Sequence, residues 1–564
     1  MYAWLVDWLC RPLPERGVYK NSKEAFLALV GFSVGLGNFW RFPTSSFEYE
    51  GATFLIAYIV CLLSIGLPLV IMEISLGQYL GLGPAHLFSR MCPVFSGVGW
   101  AMVLQLLMIT VYYNIILSWT LFYLGGSFLS PLPWSHYRHE HDSGADSLKK
   151  SYESAGLYFN QSLGGLPVES ENPYELHPRM VLCLAVAWVL VVVCLVKGVR
   201  HTGNVFYVTV LYPYVVLLCL FGLNYKYINL EKLIANLTTV NFEKLKSLKI
   251  YSEAASQTIY SLGVGHGIVM VASHNQIQQN VIRDSILLCL MDVVTSFFCM
   301  QVVFSVWLSV KSEIEEDIKD ISGLVFKVFS ALLAYENTSL WAFLFFSVIF
   351  ALGFDSQLLM VAGVTTSIFD QYPQLRPYHP FVIAFTCFAL FLLGLTMCTK
   401  TGIIIFNMMN TYTLRHSMFF LTLLEVVIAS YLYGYRNIFK LMKKELKLWL
   451  PLPIRWYLTA TWTVITPLYL AVTFGYFLYS EDWSGPKDVY FIIGQVIAFG
   501  PMVLVPLFAL HAACTKEKNS VSDLLRARND FHTSRYREDD FVCRRMNAIP
   551  MHNFAFSLDS ENYI

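Results

Sequence analysis

The stretch "GFSVGLGNFWRFP", residues 31–43, lies inside a long apolar run and breaks its rules. It holds Gly31, Gly35 and Gly37, followed by Asn38, Arg41 and Pro43. A glycine costs a helix roughly 1 kcal/mol relative to alanine. A charge near the centre of a bilayer costs at least about 2.5 kcal/mol. A segment carrying both needs local compensation.

The surrounding composition is that of a membrane protein. The chain has 564 residues, of which 56% are hydrophobic and only 14% charged. Soluble domains are nearer about 25% charged. The mean hydropathy is +0.53. Zero net charge leaves no basic footprint for nucleic acid. The 12 cysteines are scattered, without a C-x-x-C pair, and read as buried thiols rather than a metal or redox site. The N-terminal residues lack an apolar core with a cleavage site, so no removed signal peptide is expected.

Apolar runs long enough to span lie near 25–47, 52–80, 98–124, 179–196, 204–223, 256–273, 285–310, 340–368, 379–397, 402–433, 457–479 and 489–512. Each approaches or exceeds the ~20 residues a bilayer requires. Twelve helical spans are therefore expected, since a barrel would show short alternating segments. With the N-terminus inside, the cytoplasmic segments hold about 23 of the 39 Lys and Arg. They concentrate in 1–24, 434–455 and 513–545. The sequons at Asn160, Asn236 and Asn337 then all fall outside. This gives a cytoplasmic tail (1–24), a twelve-helix unit (25–512, core helices 25–433, outer loop 125–178) and a charged cytoplasmic tail (513–564).

The sixth run is interrupted like the first. "QTIYSLGVGHGIVMV" (257–271) carries Gly263, Gly265 and Gly267 near its middle. Glycine-broken segments in corresponding positions point to an inverted-repeat transporter. A broken helix frees N–H groups that attract an anion and carbonyls that attract a cation. Close helix packing through small residues is the alternative. It accounts poorly for Asn38 and Arg41 beside the glycines.

These residues carry a resemblance. "VGFSVGLGNFWRFP" resembles the first helix of the neurotransmitter:sodium symporter family (solute carrier 6). The likeness continues through "GLPLVIMEISLGQY" (66–79), "VYYNIILSWT" (111–120), "VKGVRHTGNVFYVT" (196–209), "SLGVGHG" (261–267), "IRDSILL" (282–288), "LGFDSQ" (352–357) and "SYLYG" (430–434). It spans nearly all of residues 16–512. The chain is identified as a divergent animal-type member. The resemblance implies an all-α fold of twelve transmembrane helices, a LeuT-type 5+5 inverted repeat with helices 1 and 6 broken. It implies sodium-coupled symport of a small amino acid or amino-acid-like substrate by alternating access, at the plasma membrane. No cofactor and no enzymatic activity are expected. The partners are the substrate, the coupled ions and the bilayer.

By the same resemblance, one sodium site would use the carbonyls of Gly31, Val34 and Leu352 with the side chains of Asp355 and Ser356. Hard oxygen ligands suit that ion. A second would use Ser33, Asn38, Ser261 and position 292, where the family has Asn and this chain has Asp292. A chloride-type site would match Tyr58, Gln257, Ser261 and Ser296. Like charges about 5 Å apart at an effective dielectric near 20 repel by roughly 3 kcal/mol. Asp292, if ionised, would therefore replace chloride; if protonated, it would act as an Asn-like ligand. The substrate pocket would be lined by Ser33, Gly35, Leu36, Gly37, Ile109, Tyr113, Tyr260, Gly263, His266, Ser356 and Met360. Gly35, where amine carriers hold Asp, favours a substrate carboxylate, with Tyr113 as its donor. His266 either packs as a neutral ring or reads a polar substrate and titrates near 6.5.

The gates depart from the family. Arg41 would be the outer arginine, but its acidic partner is replaced by Asn410. Arg415 and His416 stand where small residues are usual. Arg16 and Asp370 match the inner pair, with His274 in place of a tyrosine and Ala362 in place of a glutamate. These departures leave a second possibility, a transporter-fold sensor or partner protein that does not translocate.

Overall fold

The structure is a computed structural model and describes residues 17–135, 148–163, 175–224, 239–275, 279–311, 324–336, 338–481 and 489–515, with Leu525, Ala527 and Phe531. Arg16, Asn236 and Asn337 lie outside the described residues. Helices dominate throughout. The one β-bridge among the described residues joins Leu176 to Thr399.

Among the described residues, ten helical stretches are long and apolar enough to cross a bilayer. They run from Ala52–Leu80 to Val489–Cys514 and follow the apolar runs in register. An eleventh is a bent pair, Ser22–Ser33 and Gly37–Glu48, turned by 40°. Local chemistry explains the bend. Asn21 caps the first helix, its Oδ1 accepting from Glu24 N–H at 2.9 Å. The helix stops at Val34, which is extended. The chain resumes as a π-helical turn, Gly37–Arg41, and Pro43 opens the next helix, Phe42–Glu48.

The sixth apolar run is also broken. Ser247 caps Leu248–Leu262, and the chain re-enters helix only at Ile268–Ala272. Between them Gly263 and Gly265 take φ of 72° and 76°, a left-handed backbone that only glycine adopts freely.

The helices are not equally enclosed. Of the most apolar window in Ser339–Gln371, 83% is buried, against 22% in Val489–Cys514. Ser339–Gln371 packs on Pro93–Gly126 and on the Ser22–Ser33 half-helix, while Val281–Lys311 lies against the Gly37–Arg41 turn. The two breaks thus meet in the middle of the bundle. On one side, the Leu148–Leu163 and Leu324–Glu336 helices pack together. Asn160 lies on the first of these, partly exposed. All ten cysteines among the described residues are free thiols.

Candidate substrate and ion site

The breaks release backbone groups, and side chains from four other elements converge on them. Ser33 Oγ donates to Leu262 O at 3.1 Å, tying one break to the other. Asn38 Oδ1 accepts from Gly35 N–H at 2.9 Å, and Gln257 Nε2 donates to Gly37 O at 2.9 Å. Leu36 N–H donates to Tyr113 Oη at 3.1 Å. That bond uses the phenol as acceptor and leaves its proton for another partner.

Asp355 and Ser356 approach the end of the Ser22–Ser33 helix. Ser356 Oγ donates to Gly31 O at 3.0 Å and lies 3.3 Å from Phe32 O. Asp355 is buried against Gly31, and its Oδ1 has no hydrogen-bond partner. A carboxylate oxygen left unpaired in an apolar interior is costly unless a cation meets it. Val34 and Leu352 are buried beside it, the Leu352 carbonyl facing Gly35.

Asp292 is held in the opposite way. Its Oδ1 accepts from Asn38 Nδ2 at 2.7 Å and from Ser261 Oγ at 2.6 Å, and its Oδ2 accepts from the Tyr58 hydroxyl. Asn38 Nδ2 also donates to Ser296 Oγ at 2.8 Å. Asn38 and Ser261 of the expected second ion set and Tyr58, Ser261 and Ser296 of the expected chloride-type set thus share one hydrogen-bonded network around the Asp292 carboxylate, while Ser33 and Gln257 bond to backbone carbonyls instead.

A cavity of about 30 Å³ lies between the breaks. Its wall includes Ser33, Gly35, Gly37, Ile109, Tyr113, Tyr260, His266, Ser356 and Met360, joined by Phe32 and Ser261. Leu36 and Gly263, expected on the wall, lie behind it. Leu36 packs toward Gly353, and the Phe32 ring covers Gly263. A Cβ on Gly35 would come within 2.5 Å of Ser356 Oγ and 2.7 Å of Tyr113 Oη, so no side chain fits there. His266 Nδ1 lies 3.0 Å from Val264 O. A carbonyl only accepts, so Nδ1 carries the proton and Nε2 is an acceptor.

Beyond the cavity, Arg41 Nη2 donates to Ser256 Oγ at 2.8 Å, and the guanidinium sits 5.3 Å over Tyr260. It shares no hydrogen bond with Asn410, and its Nη1 is buried without a partner. Arg415, by contrast, pairs with Glu481 at 2.9 Å, and Gln495 holds the other Glu481 oxygen at 3.0 Å. His416 stacks on Phe499 with ring centroids 4.8 Å apart. At the other end, Asp370 Oδ2 accepts from Gly83 N–H at 2.9 Å. His274 Nδ1 meets Gly17 O at 2.6 Å and Nε2 meets Thr366 Oγ1 at 3.3 Å. Ala362 is buried.

Two further buried carboxylates stand inside apolar runs. Glu73 Oε1 accepts from Gly265 N–H at 2.6 Å and so pins the sixth break. Glu425 is fully buried, and neither of its carboxyl oxygens has a hydrogen-bond partner. The available signal was the acid itself, each inside an apolar run.

Comparison with known proteins agrees with this architecture. The sequence profile of the sodium:neurotransmitter symporter family matches residues 16–516. The human sodium- and chloride-dependent neutral and basic amino acid transporter B(0+) is 32% identical, covering 82% of this chain and 79% of its own. The rat sodium- and chloride-dependent taurine transporter is 28% identical over 96% of this chain and 91% of its own. A GABA transporter 2 from Macaca fascicularis, also sodium- and chloride-dependent by name, is 28% identical over 88% and 86%. The chain belongs to the sodium:neurotransmitter symporter family, whose members are multi-pass membrane transporters and not enzymes.

Proposed function

We propose that the chain is a plasma-membrane symporter that couples sodium entry to uptake of a small amino acid or amino-acid-like substrate. In this reading it has twelve spans, the sixth broken like the first, arranged as two inverted halves with both termini cytoplasmic. Asn160, Asn236 and Asn337 are then extracellular glycan sites. The observation that carries the reading is Asp355, buried with an unpaired oxygen against Gly31 at the end of the broken first helix. One sodium binds there, with Gly31, Val34, Leu352 and Ser356 completing an oxygen shell. A second is held near Ser33, Asn38 and Ser261 at the edge of the Asp292 network.

The substrate occupies the cavity with its carboxylate toward Gly35, the first sodium and the free proton of Tyr113. At about 30 Å³ the cavity is far smaller than the roughly 300 Å³ of an ordinary ligand pocket. Loading therefore requires the walls to part, as alternating access demands. Arg41 with Tyr260 forms the outer barrier, and Arg16 with Asp370 the inner one. Asp292 acts ionised, its three donors taking the place of a chloride shell, so uptake depends weakly on chloride.

The test is uptake of pooled labelled amino acids, GABA, betaine and monoamines, in sodium and then in choline. Sodium-dependent entry that Asp355→Ala abolishes supports the reading. The buried, unpaired Arg41 Nη1 and the missing contact to Asn410 favour a second reading, a sensor that binds without translocating. Confirmed surface expression, no uptake, and a sodium-dependent thermal shift would establish that one instead.

A further inference from the structure

The segment 434–455 carries six cations, Arg436, Lys440, Lys443, Lys444, Lys447 and Arg455, against a single acid, Glu445. The transport site uses none of them. Arg436, Lys440 and Lys443 follow one another at helical spacing along Tyr435–Lys444 and point into a cleft of about 590 Å³. The opposite wall is Leu452–Ala460, which contributes Arg455. Among the described residues none of these four cations pairs with a carboxylate, and Glu445 lines a neighbouring cleft with Lys444, where Lys440 is shared between the two. Arg455 and Arg436 instead rest on aromatic rings, 5.6 Å over Phe439 and 5.8 Å over Tyr435.

The rim of the cleft is as informative as its charge. Trp449 is 78% exposed and Trp456 69%. Both line the same cleft, in the loop and first turn that lead into an apolar span. Exposed tryptophans at the end of a span sit at headgroup depth. Four uncompensated cations at that depth match phosphate groups carried by a lipid. An acidic soluble partner would require no such aromatic rim.

We propose that this cleft binds the phosphate-bearing headgroup of an anionic membrane lipid, with Arg436, Lys440, Lys443 and Arg455 as its phosphate ligands and Trp449 and Trp456 seated among the neighbouring headgroups. The assignment takes from the transport reading only that 434–455 faces the cytoplasmic leaflet.

The experiment is native mass spectrometry of the purified full-length chain in detergent, titrated with dioctanoyl phosphatidylinositol 4,5-bisphosphate. Dioctanoyl phosphatidylcholine and free inositol trisphosphate serve as the other arms. The expected result is one tight site for the anionic lipid, weakened about tenfold or more in R436Q/K440Q/K443Q/R455Q. The exposed Lys246→Gln, elsewhere on the molecule, leaves it unchanged. The single variant Lys443→Gln, whose side chain is exposed, weakens it about threefold should the fourfold variant not fold. Equal binding by wild type and the variants overturns the proposal. So does inositol trisphosphate binding as tightly as the lipid, which marks a soluble-anion site. The readout involves neither transport nor sidedness. Cysteine labelling that places 434–455 outside would refute the orientation while leaving the measured binding intact.

Discussion

Asp292 and Asp355 are both buried aspartates within the bundle, and their surroundings differ completely. Both oxygens of Asp292 are occupied by donors, from Asn38, Ser261 and Tyr58. Asp355 keeps Oδ1 unpaired beside the end of a broken helix. A carboxylate surrounded by hydroxyl and amide donors has its charge balanced by the protein. In the proposed reading, the unpaired oxygen of the other is met by a cation. The pair shows that residue type alone does not set how a buried carboxylate is satisfied; the donors its neighbours bring do.

The largest way to break this contrast is Asp355→Asn. It should remove sodium-dependent uptake by about 100-fold or more, near 2.7 kcal/mol, and erase the sodium-induced rise in melting temperature of purified protein. Retained sodium stabilisation would mean that the bare oxygen is not a ligand. Next in size is Asp292→Asn. Replacing chloride with gluconate should leave wild-type uptake within about twofold but lower that of the variant about tenfold. Complete loss of wild-type uptake without chloride would end the idea that Asp292 stands in for that anion. Tyr58→Phe removes one of three donors and should restore part of the chloride dependence, at a stability cost of about 1–2 kcal/mol read by thermal melting.

The smallest effect belongs to a third carboxylate, which serves as the solvated control. Glu175 pairs with Lys400 at 2.5 Å in the segment bridged at Leu176 and Thr399. The hydrogen bond from Lys400 holds its carboxyl below the ordinary glutamate value. A depressed carboxylate stabilises the fold above the unfolded pKa, about 4.3. That contribution is lost as pH falls through the lower folded value. Wild type and Lys400→Gln should therefore differ slightly in melting temperature at neutral pH and converge in acid below the glutamate range. A difference that persists in acid would mean that the ion pair is not its source.

Much of this molecule was legible from residue order. Apolar runs gave the span positions because a bilayer imposes length and hydropathy on each segment separately. The breaks at 34–36 and 263–267 were legible because glycine clusters are expensive in helices. Nine of the eleven residues expected around the substrate do line the cavity. What escaped depends on distant pairs. Arg415 read as a cation in need of a partner, and nothing local identified Glu481, 66 residues away. Leu36 and Gly263 read as wall residues, yet the Phe32 ring and the packing at Gly353 put them behind it. Glu73 passed as part of a motif, although its bond to Gly265 N–H spans 192 residues.

The Phe32 ring fills the space that two glycines leave open. It packs against the second break, so that a Cβ on Gly263 would come within 2.1 Å of its Cε1 and one on Gly267 within 2.0 Å of its Cζ. The two bare backbones are a mould cast around that one ring. Neither half can drift alone over generations: a methyl added on one side evicts the ring, and a smaller ring on the other leaves a void. An engineer wishing to resize the chamber should exchange Phe32 and its glycines as a single unit.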